Sequence, residues 1–273
     1  GVYMAGTKAG PALGAMFASF LVAAYHWRTM FFIMGLAPLV WVVVWQFLVP
    51  NDDREKAAAI SAKSPAADVP FADLLKSPVI WAIVIATFCY NSFIFFCVTW
   101  LPAYFTEHRH LSVRQMGIYT MCSFMGMALI APLAGWAADR LVARGWDAFT
   151  VRRRFTIAGF LIASTEVVGA MSSSNTVALV FAIVSLAGLG LATANYWALT
   201  QTLVPAKAIG RVSGLQNFGS TASGMCIPWI AGWLIQYTHS YEAPMQLICG
   251  LLLVGGACYI FLVRDIRKPM AAA

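Results

Sequence analysis

The chain has 273 residues, of which 60% are hydrophobic and only 11% are charged. Soluble domains carry roughly 25% charged residues, so this composition excludes an ordinary soluble domain and predicts an integral membrane protein. The net charge of +7 does not indicate nucleic acid as a partner, because the basic residues lie in separate loops between apolar runs, where membrane orientation explains them.

About eight apolar runs are long enough to cross a lipid bilayer, which takes about 20 mostly apolar residues. Isolated strands leave backbone groups unpaired in lipid, so we expect an all-α fold of about eight transmembrane helices. Two helices are expected in residues 1–49, a polar linker in residues 50–77, and six helices with a short tail in residues 78–273. The predicted spans are about 2–24, 29–49, 79–105, 113–138, 155–172, 176–203, 212–236 and 244–263.

The distribution of Lys and Arg predicts which side of the membrane each loop faces. The loop after Asp139 is strongly basic, and cytoplasmic loops carry the excess of Lys and Arg. Lys8 lies within a span, and all other basic residues lie on the side of the basic loop except Arg28, Arg109 and Arg114. We therefore expect a multi-pass protein of the cell's inner (plasma) membrane whose linker, basic loop and C-terminus are cytoplasmic.

The start of the chain resembles a segment near its end. Gly1 and Gly6 align with Gly214 and Gly219 at a constant offset, and each segment leads through a tight turn to a helix that ends in Phe-Leu-Val. Parallel half repeats of this kind are typical of transporters. The first two spans therefore correspond to the end of one half and the last two to the end of a second half. We expect the chain to be a fragment that lacks the N-terminal part of the protein.

With six spans after a linker and two before it that repeat the last two, the chain resembles helices 5 to 12 of a twelve-helix major facilitator superfamily transporter. The segment from Gly135 to Arg144 contains Asp139 followed by Arg140. It is similar to the superfamily loop signature G-x-x-x-D-R/K-x-G-R-R, with an insertion before the arginines of 152–154. The resemblance implies a partial major facilitator fold.

Short motifs narrow the resemblance to the anion:cation symporters, the group that contains sugar-acid and other organic-acid permeases. This resemblance implies a secondary active transporter that imports small organic anions, such as sugar acids, with protons or another cation by alternating access. No enzymatic nucleophile, Walker-type glycine loop or metal cluster is recognisable, so we expect no enzyme, no cofactor and no metal site. The motifs are Tyr90-Asn91, 99–105, 6–14 and 214–219 with Ile227-Pro228.

Five residues are candidate substrate ligands. Lys8 lies within a predicted span, where a cation costs about 2.5–3.5 kcal/mol on insertion scales. We interpret it as an anchor for a substrate carboxylate; a structural ion pair or snorkelling is the alternative. Four others carry hydrogen-bonding groups on helices 7, 10 and 11 of the resembled fold, where the alternative role is bonding between helices: Tyr90, Asn91, Trp197 and Asn217.

The loop signature supplies four candidate gating residues: Gly135, Asp139, Arg140 and Arg144. In the resembled family the Asp pairs with basic loop residues and with a helix N-terminus of the other half, and so holds the cytoplasmic side closed. Glu166 is the only acidic residue inside a predicted span. We expect it to snorkel or to find a local partner, since the coupling carboxylates of the resembled group lie in helices that precede this chain.

Two other functions stay open from the sequence. A drug or metabolite exporter of the same superfamily would be expected to have a more apolar cavity without Lys8. A non-transporting receptor or membrane scaffold belongs to another class of protein. The half repeat and the duplicated loop signature argue against that second alternative.

Overall fold

The structure is a computed structural model of the chain. It describes residues 14, 17, 21, 25–48 and 70–263, apart from the side chain of residue 206. Lys8, with nearly all of the first predicted span, lies outside the described residues, as do most of the predicted linker and the end of the C-terminal tail. The described residues fall into two compact units, one within residues 14–48 and one of residues 70–263, and each is described by itself.

The part of the chain that the structure describes is built from helices. The smaller unit contains α1 (Trp27–Leu48). The larger unit contains α2 (Phe71–Lys76), α3 (Pro78–Ala103), α4 (Val113–Ala143), α5 (Ala148–Ala163), α6 (Glu166–Met171), α7 (Asn175–Leu203), α8 (Ala206–Thr238) and α9 (Glu242–Ala257). Short π-helical turns, Tyr104–His108 and Cys258–Leu262, extend α3 and α9.

Six helical segments within the described ranges are long and apolar enough to cross a membrane: α1, α3 with its π turn, α4, α5 with α6, α7, and α9 with its π turn. They coincide with six of the spans predicted from the sequence. The seventh predicted span, about 212–236, lies inside α8, a single helix of 33 residues that is not among the six. The predicted all-α membrane fold is confirmed.

The predicted span at about 155–172 is interrupted, which the sequence did not indicate. The Ser164 hydroxyl donates to the backbone oxygen of Leu161, and the Thr165 hydroxyl donates to that of Ile162. Ser and Thr side chains compete in this way with the hydrogen bonds of the helix itself. The helix therefore ends at Ala163 and restarts as α6 at Glu166.

Side chains at the helix starts accept hydrogen bonds from backbone N–H groups that have no partner within the helix. Ser112 and Gln115 form a capping box at the start of α4. Asp147 accepts from the backbone nitrogen of Thr150 at 2.8 Å, and Ser174 caps α7. These residues set the helix boundaries within the larger unit.

Helix α7 packs against α4 and α5, while α3 packs against α8 and α9. The α5–α7 contact is close, since a Cβ at Gly159 would lie 2.8 Å from the backbone oxygen of Gly188. Close backbone approach through small residues is typical of membrane helices. The largest fully buried side chains on α3, α5 and the π turn after α9 fill the centre: Tyr90, Phe93, Phe96, Phe160 and Tyr259.

Candidate functional site

A cluster of polar and aromatic side chains joins α3 to α7. The hydroxyl of Tyr90 lies 2.8 Å from the hydroxyl oxygen of Thr193. Thr193 donates its own proton to the backbone oxygen of Leu189, so Tyr90 is the donor to Thr193. The rings of Tyr90 and Tyr196 pack with their centroids 4.8 Å apart. Both tyrosines are buried, so their polar ends are held in place by the two helices.

Helix α8 joins this cluster through Gln216. Its side-chain nitrogen donates to the hydroxyl oxygen of Thr87 at 3.2 Å, and Thr87 donates in turn to the backbone oxygen of Ile83. Asn91, one turn further along α3, is half-buried and donates to the backbone oxygen of Thr87. The side-chain oxygen of Gln216 is buried and has no hydrogen-bond partner within residues 70–263. This end of the cluster therefore holds an unused hydrogen-bond acceptor.

Of the other two described candidates, Trp197 contacts the cluster and Asn217 does not. Trp197 is half-buried, and its ring centroid is 5.4 Å from that of Tyr196. Asn217 is exposed and donates to the backbone oxygen of Ser213 in its own helix. The structure thus brings together three of the candidates, Tyr90, Asn91 and Trp197. Asn217 is adjacent to Gln216 in the sequence of α8. Lys8 lies outside the described residues.

Sequence reasoning did not select Thr87 and Thr193 as members of this cluster. Each lies four residues before a residue that it did select, Asn91 and Trp197 respectively. Residues at this spacing share one face of a helix, so the signal was available. Gln216 was not selected either, because the sequence does not show which of two adjacent amides, Gln216 or Asn217, faces the next helix.

The basic loop forms a second candidate region at the end of α4. A guanidinium nitrogen of Arg152 lies 3.0 Å from a carboxylate oxygen of Asp139. The guanidinium of Arg140 lies 5.2 Å from the ring centroid of Trp136, a cation–π contact. A groove of about 360 Å³ follows one face of the helix and is lined by Trp136, Ala137, Arg140, Leu141 and Arg144. Gly135 is buried at the same helix end.

Arg153 ties the basic loop to the end of the chain's last helix. Its guanidinium donates to the backbone oxygens of Tyr259 at 2.7 Å and Ile260 at 2.5 Å. These carbonyls belong to the π turn after α9 and lie more than 100 residues away in sequence. The basic segment therefore makes an ion pair through Arg152, a cation–π contact through Arg140 and, through Arg153, two hydrogen bonds to the π turn after α9.

The snorkelling interpretation of Glu166 is wrong, and the alternative of a local partner is confirmed. Its side chain is only 4% exposed, and its carboxyl lies 2.5 Å from the hydroxyl of Ser185 on α7. The interruption before α6 places this residue inside the unit instead of at a helix end near water. A hydropathy pattern does not reveal such an interruption.

Residues 1–225 match the family model of the Major Facilitator Superfamily. The chain belongs to the Major Facilitator Superfamily. This membership indicates a multi-pass membrane protein of a transporter family, not an enzyme. The resemblance expected from the loop signature and the half repeat is thereby confirmed.

Relatives within the Major Facilitator Superfamily include several sugar-acid transporters. The hexuronate transporter of Bacillus subtilis (strain 168) is 28% identical, over 98% of this chain and 66% of its own length. The D-galactonate transporter of Escherichia coli O6:H1 is 26% identical over the same shares. The probable galactarate/D-glucarate transporter of Escherichia coli (strain K12) is 23% identical, over 91% of this chain and 61% of its own length. The chain thus spans slightly less than two thirds of the length of these relatives.

The Tyr90–Thr193 hydrogen bond predicts a measurable link between α3 and α7. Tyr90→Phe is expected to lower the free energy of unfolding by about 0.6–1.7 kcal/mol, the range of side-chain hydrogen bonds between membrane helices. Thermal unfolding of the full-length protein measures this loss of stability. Tyr119→Phe is the matched control, since the Tyr119 hydroxyl has no protein partner among the described residues. Equal shifts in both variants would contradict the assignment.

Proposed function

We propose that the protein containing this chain is a secondary active transporter that imports small organic anions, such as sugar acids, with protons or another cation. The observation that carries the proposal is the α3–α7–α8 cluster, in which Tyr90 and Trp197 pack against the ring of Tyr196 and Gln216 donates to Thr87. Polar groups beside aromatic faces suit a ligand with several hydroxyls. The named substrates of the relatives, hexuronate, D-galactonate and D-glucarate, support the same chemistry.

An exporter of apolar compounds fits this cluster less well. An apolar ligand offers no hydrogen-bond donor to the buried side-chain oxygen of Gln216, which has no partner within residues 70–263. Each polar group buried without a partner costs about 1–3 kcal/mol. A hydroxylated acid removes that cost by supplying hydrogen bonds. Tyr90, Asn91, Trp197 and Asn217 are therefore proposed as substrate ligands, with Lys8 as the anchor of the carboxylate.

The orientation of the chain is also a proposal, supported by the excess of Lys and Arg in the loop after Asp139. It places the linker, the basic loop and the C-terminus in the cytoplasm and the π turn that ends at His108 on the opposite side. A cysteine at Arg144 is then expected to react with an impermeant thiol reagent only from the cytoplasmic face. A cysteine at His108 is expected to react only from the other face. The reverse pattern would contradict the orientation.

Uptake of labelled sugar acids by proteoliposomes that hold the full-length protein tests the function directly. We expect hexuronate or galactonate to accumulate when a proton gradient is imposed and to leak out when the gradient is collapsed. Binding without accumulation would indicate a receptor, and expulsion of apolar compounds would indicate an exporter.

In the same assay Lys8→Gln is expected to lose about 1.5–3 kcal/mol of binding energy, roughly ten- to a hundredfold in affinity. Lys76→Gln, at an exposed Lys paired with Asp73, is the control.

The ion pair of Asp139 with Arg152 is proposed to hold one closed state of the transport cycle. Asp139 is 65% exposed, so loss of the pair changes folding stability by less than about 1 kcal/mol. Asp139→Asn and Arg152→Gln are both expected to slow substrate exchange while expression stays near normal. Rates of counterflow in proteoliposomes measure this. Unchanged rates in both variants would remove the pair from the mechanism.

A further inference from the structure

The buried carboxyl of Glu166 is a polar group that the proposed function does not use. Glu166 begins α6, directly after the interruption at Ser164 and Thr165, and its side chain is 4% exposed. Helix α6 packs against α7 and α9, and a Cβ at Gly169 would lie 2.6 Å from the side chain of Phe181 on α7. The carboxyl is therefore enclosed by packed helices within a membrane-spanning segment.

The two contacts of the Ser185 hydroxyl favour a protonated Glu166. The Ser185 hydroxyl oxygen is 2.5 Å from a carboxyl oxygen of Glu166 and 3.1 Å from the backbone oxygen of Ala182. A serine hydroxyl carries a single hydrogen and can donate it to only one of these acceptors. If Glu166 is protonated, it donates to Ser185, and Ser185 donates to Ala182. The contact between Glu166 and Ser185 and the contact between Ser185 and Ala182 then each contain one donated hydrogen.

Within residues 70–263, no positively charged side chain pairs with Glu166 to favour its ionised form. The titratable groups that face it are Cys97 from α3, Tyr104 from the π turn after α3 and Cys249 from α9, and none of these three can carry a positive charge. From α7 it meets the hydroxyl of Ser185. The start of a helix favours an anion by about 0.3–1 kcal/mol, whereas burying an unpaired charge costs several kcal/mol. The surroundings of Glu166 therefore favour its protonated, uncharged form.

Helix α6 is held at its other end by Arg109. One guanidinium nitrogen donates to the backbone oxygens of Gly169 and Ala170, at 3.0 Å each. Another donates to the Tyr104 hydroxyl at 2.7 Å, at the point where α3 becomes π-helical. Arg109 therefore links α6 to the end of α3, the helix that carries Tyr90 and Asn91.

We propose that Glu166 is a proton-binding site of this unit, separate from the substrate cluster, and that release of its proton loosens α6 from α7 and from the end of α3. Among the described residues, the charged carboxylate would meet no donor beyond Ser185 and would draw that hydroxyl away from Ala182. Acidic conditions then stabilise the packed arrangement, and alkaline conditions weaken it. The proposal does not rest on the proposed transport function, because its test needs no transport.

Infrared spectroscopy of the full-length protein in nanodiscs detects the proton directly. Near neutral pH, the difference spectrum of wild type minus Glu166→Gln is expected to contain the carbonyl stretch of a protonated carboxylic acid. Ser185→Ala should keep this band and shift its frequency, because the acid loses its partner. A difference spectrum with only carboxylate bands would overturn the proposal.

Thermal unfolding across pH gives an independent readout. In the unfolded state Glu ionises above about pH 4.3, so the wild type should lose stability relative to Glu166→Gln as pH rises, by up to about tenfold in the unfolding equilibrium per pH unit. Asp73→Asn, at an exposed acid beside the exposed Lys76, is the control and should follow the wild type. The amide introduced by Glu166→Gln can donate to Ser185 as the acid does, so failure of this variant to fold would also contradict the proposal. Parallel curves for the wild type and Glu166→Gln would contradict it as well.

Discussion

A polar group that faces the lipid inside a bilayer must find a partner within the protein, because no water is available there. Many hydroxyl and amide side chains of the larger unit meet this constraint within their own helix. Each donates to the backbone oxygen four residues earlier, as do Thr87, Ser92, Thr156, Asn195 and Thr200. A polar side chain that instead reaches another helix marks a position where the chain departs from simple apolar packing.

Three such contacts within residues 70–263 define the sites described above. Tyr90 reaches Thr193, Gln216 reaches Thr87, and Glu166 reaches Ser185. The first two belong to the cluster that contains half-buried Asn91 and Trp197, and the side-chain oxygen of Gln216 is an unused acceptor there. The third lies in a separate, enclosed position. Substrate binding and proton binding are therefore proposed for different parts of the same helical unit.

Much of the architecture could be predicted from the sequence. Apolar runs predicted the six described spans, because the length of a span is set by the thickness of the bilayer. The segment from Gly135 to Arg144 and the half repeat led to the correct superfamily. The candidate residues placed on α3 and α7, Tyr90, Asn91 and Trp197, do belong to one cluster.

Other features depend on contacts that a pattern of hydropathy does not contain. The interruption at Ser164 and Thr165 arises from local hydrogen bonds of two hydroxyls, and it determines that Glu166 is buried. Arg153 finds its partners at the end of α9, far along the chain, although it looks like any other residue of a basic loop. Which amide of α8 faces α3 depends on the rotation of that helix, which only the packed structure gives.

The central claim is that the cluster of α3, α7 and α8 recognises the hydroxyl groups of an organic anion. The most direct measurement compares the affinity of the full-length protein for a sugar acid with its affinity for a deoxy analogue of equal charge. The account predicts that each missing hydroxyl weakens binding by about 1–3 kcal/mol, roughly five- to a hundredfold, because a buried partner is left unpaired. Equal affinities for the two acids would contradict it.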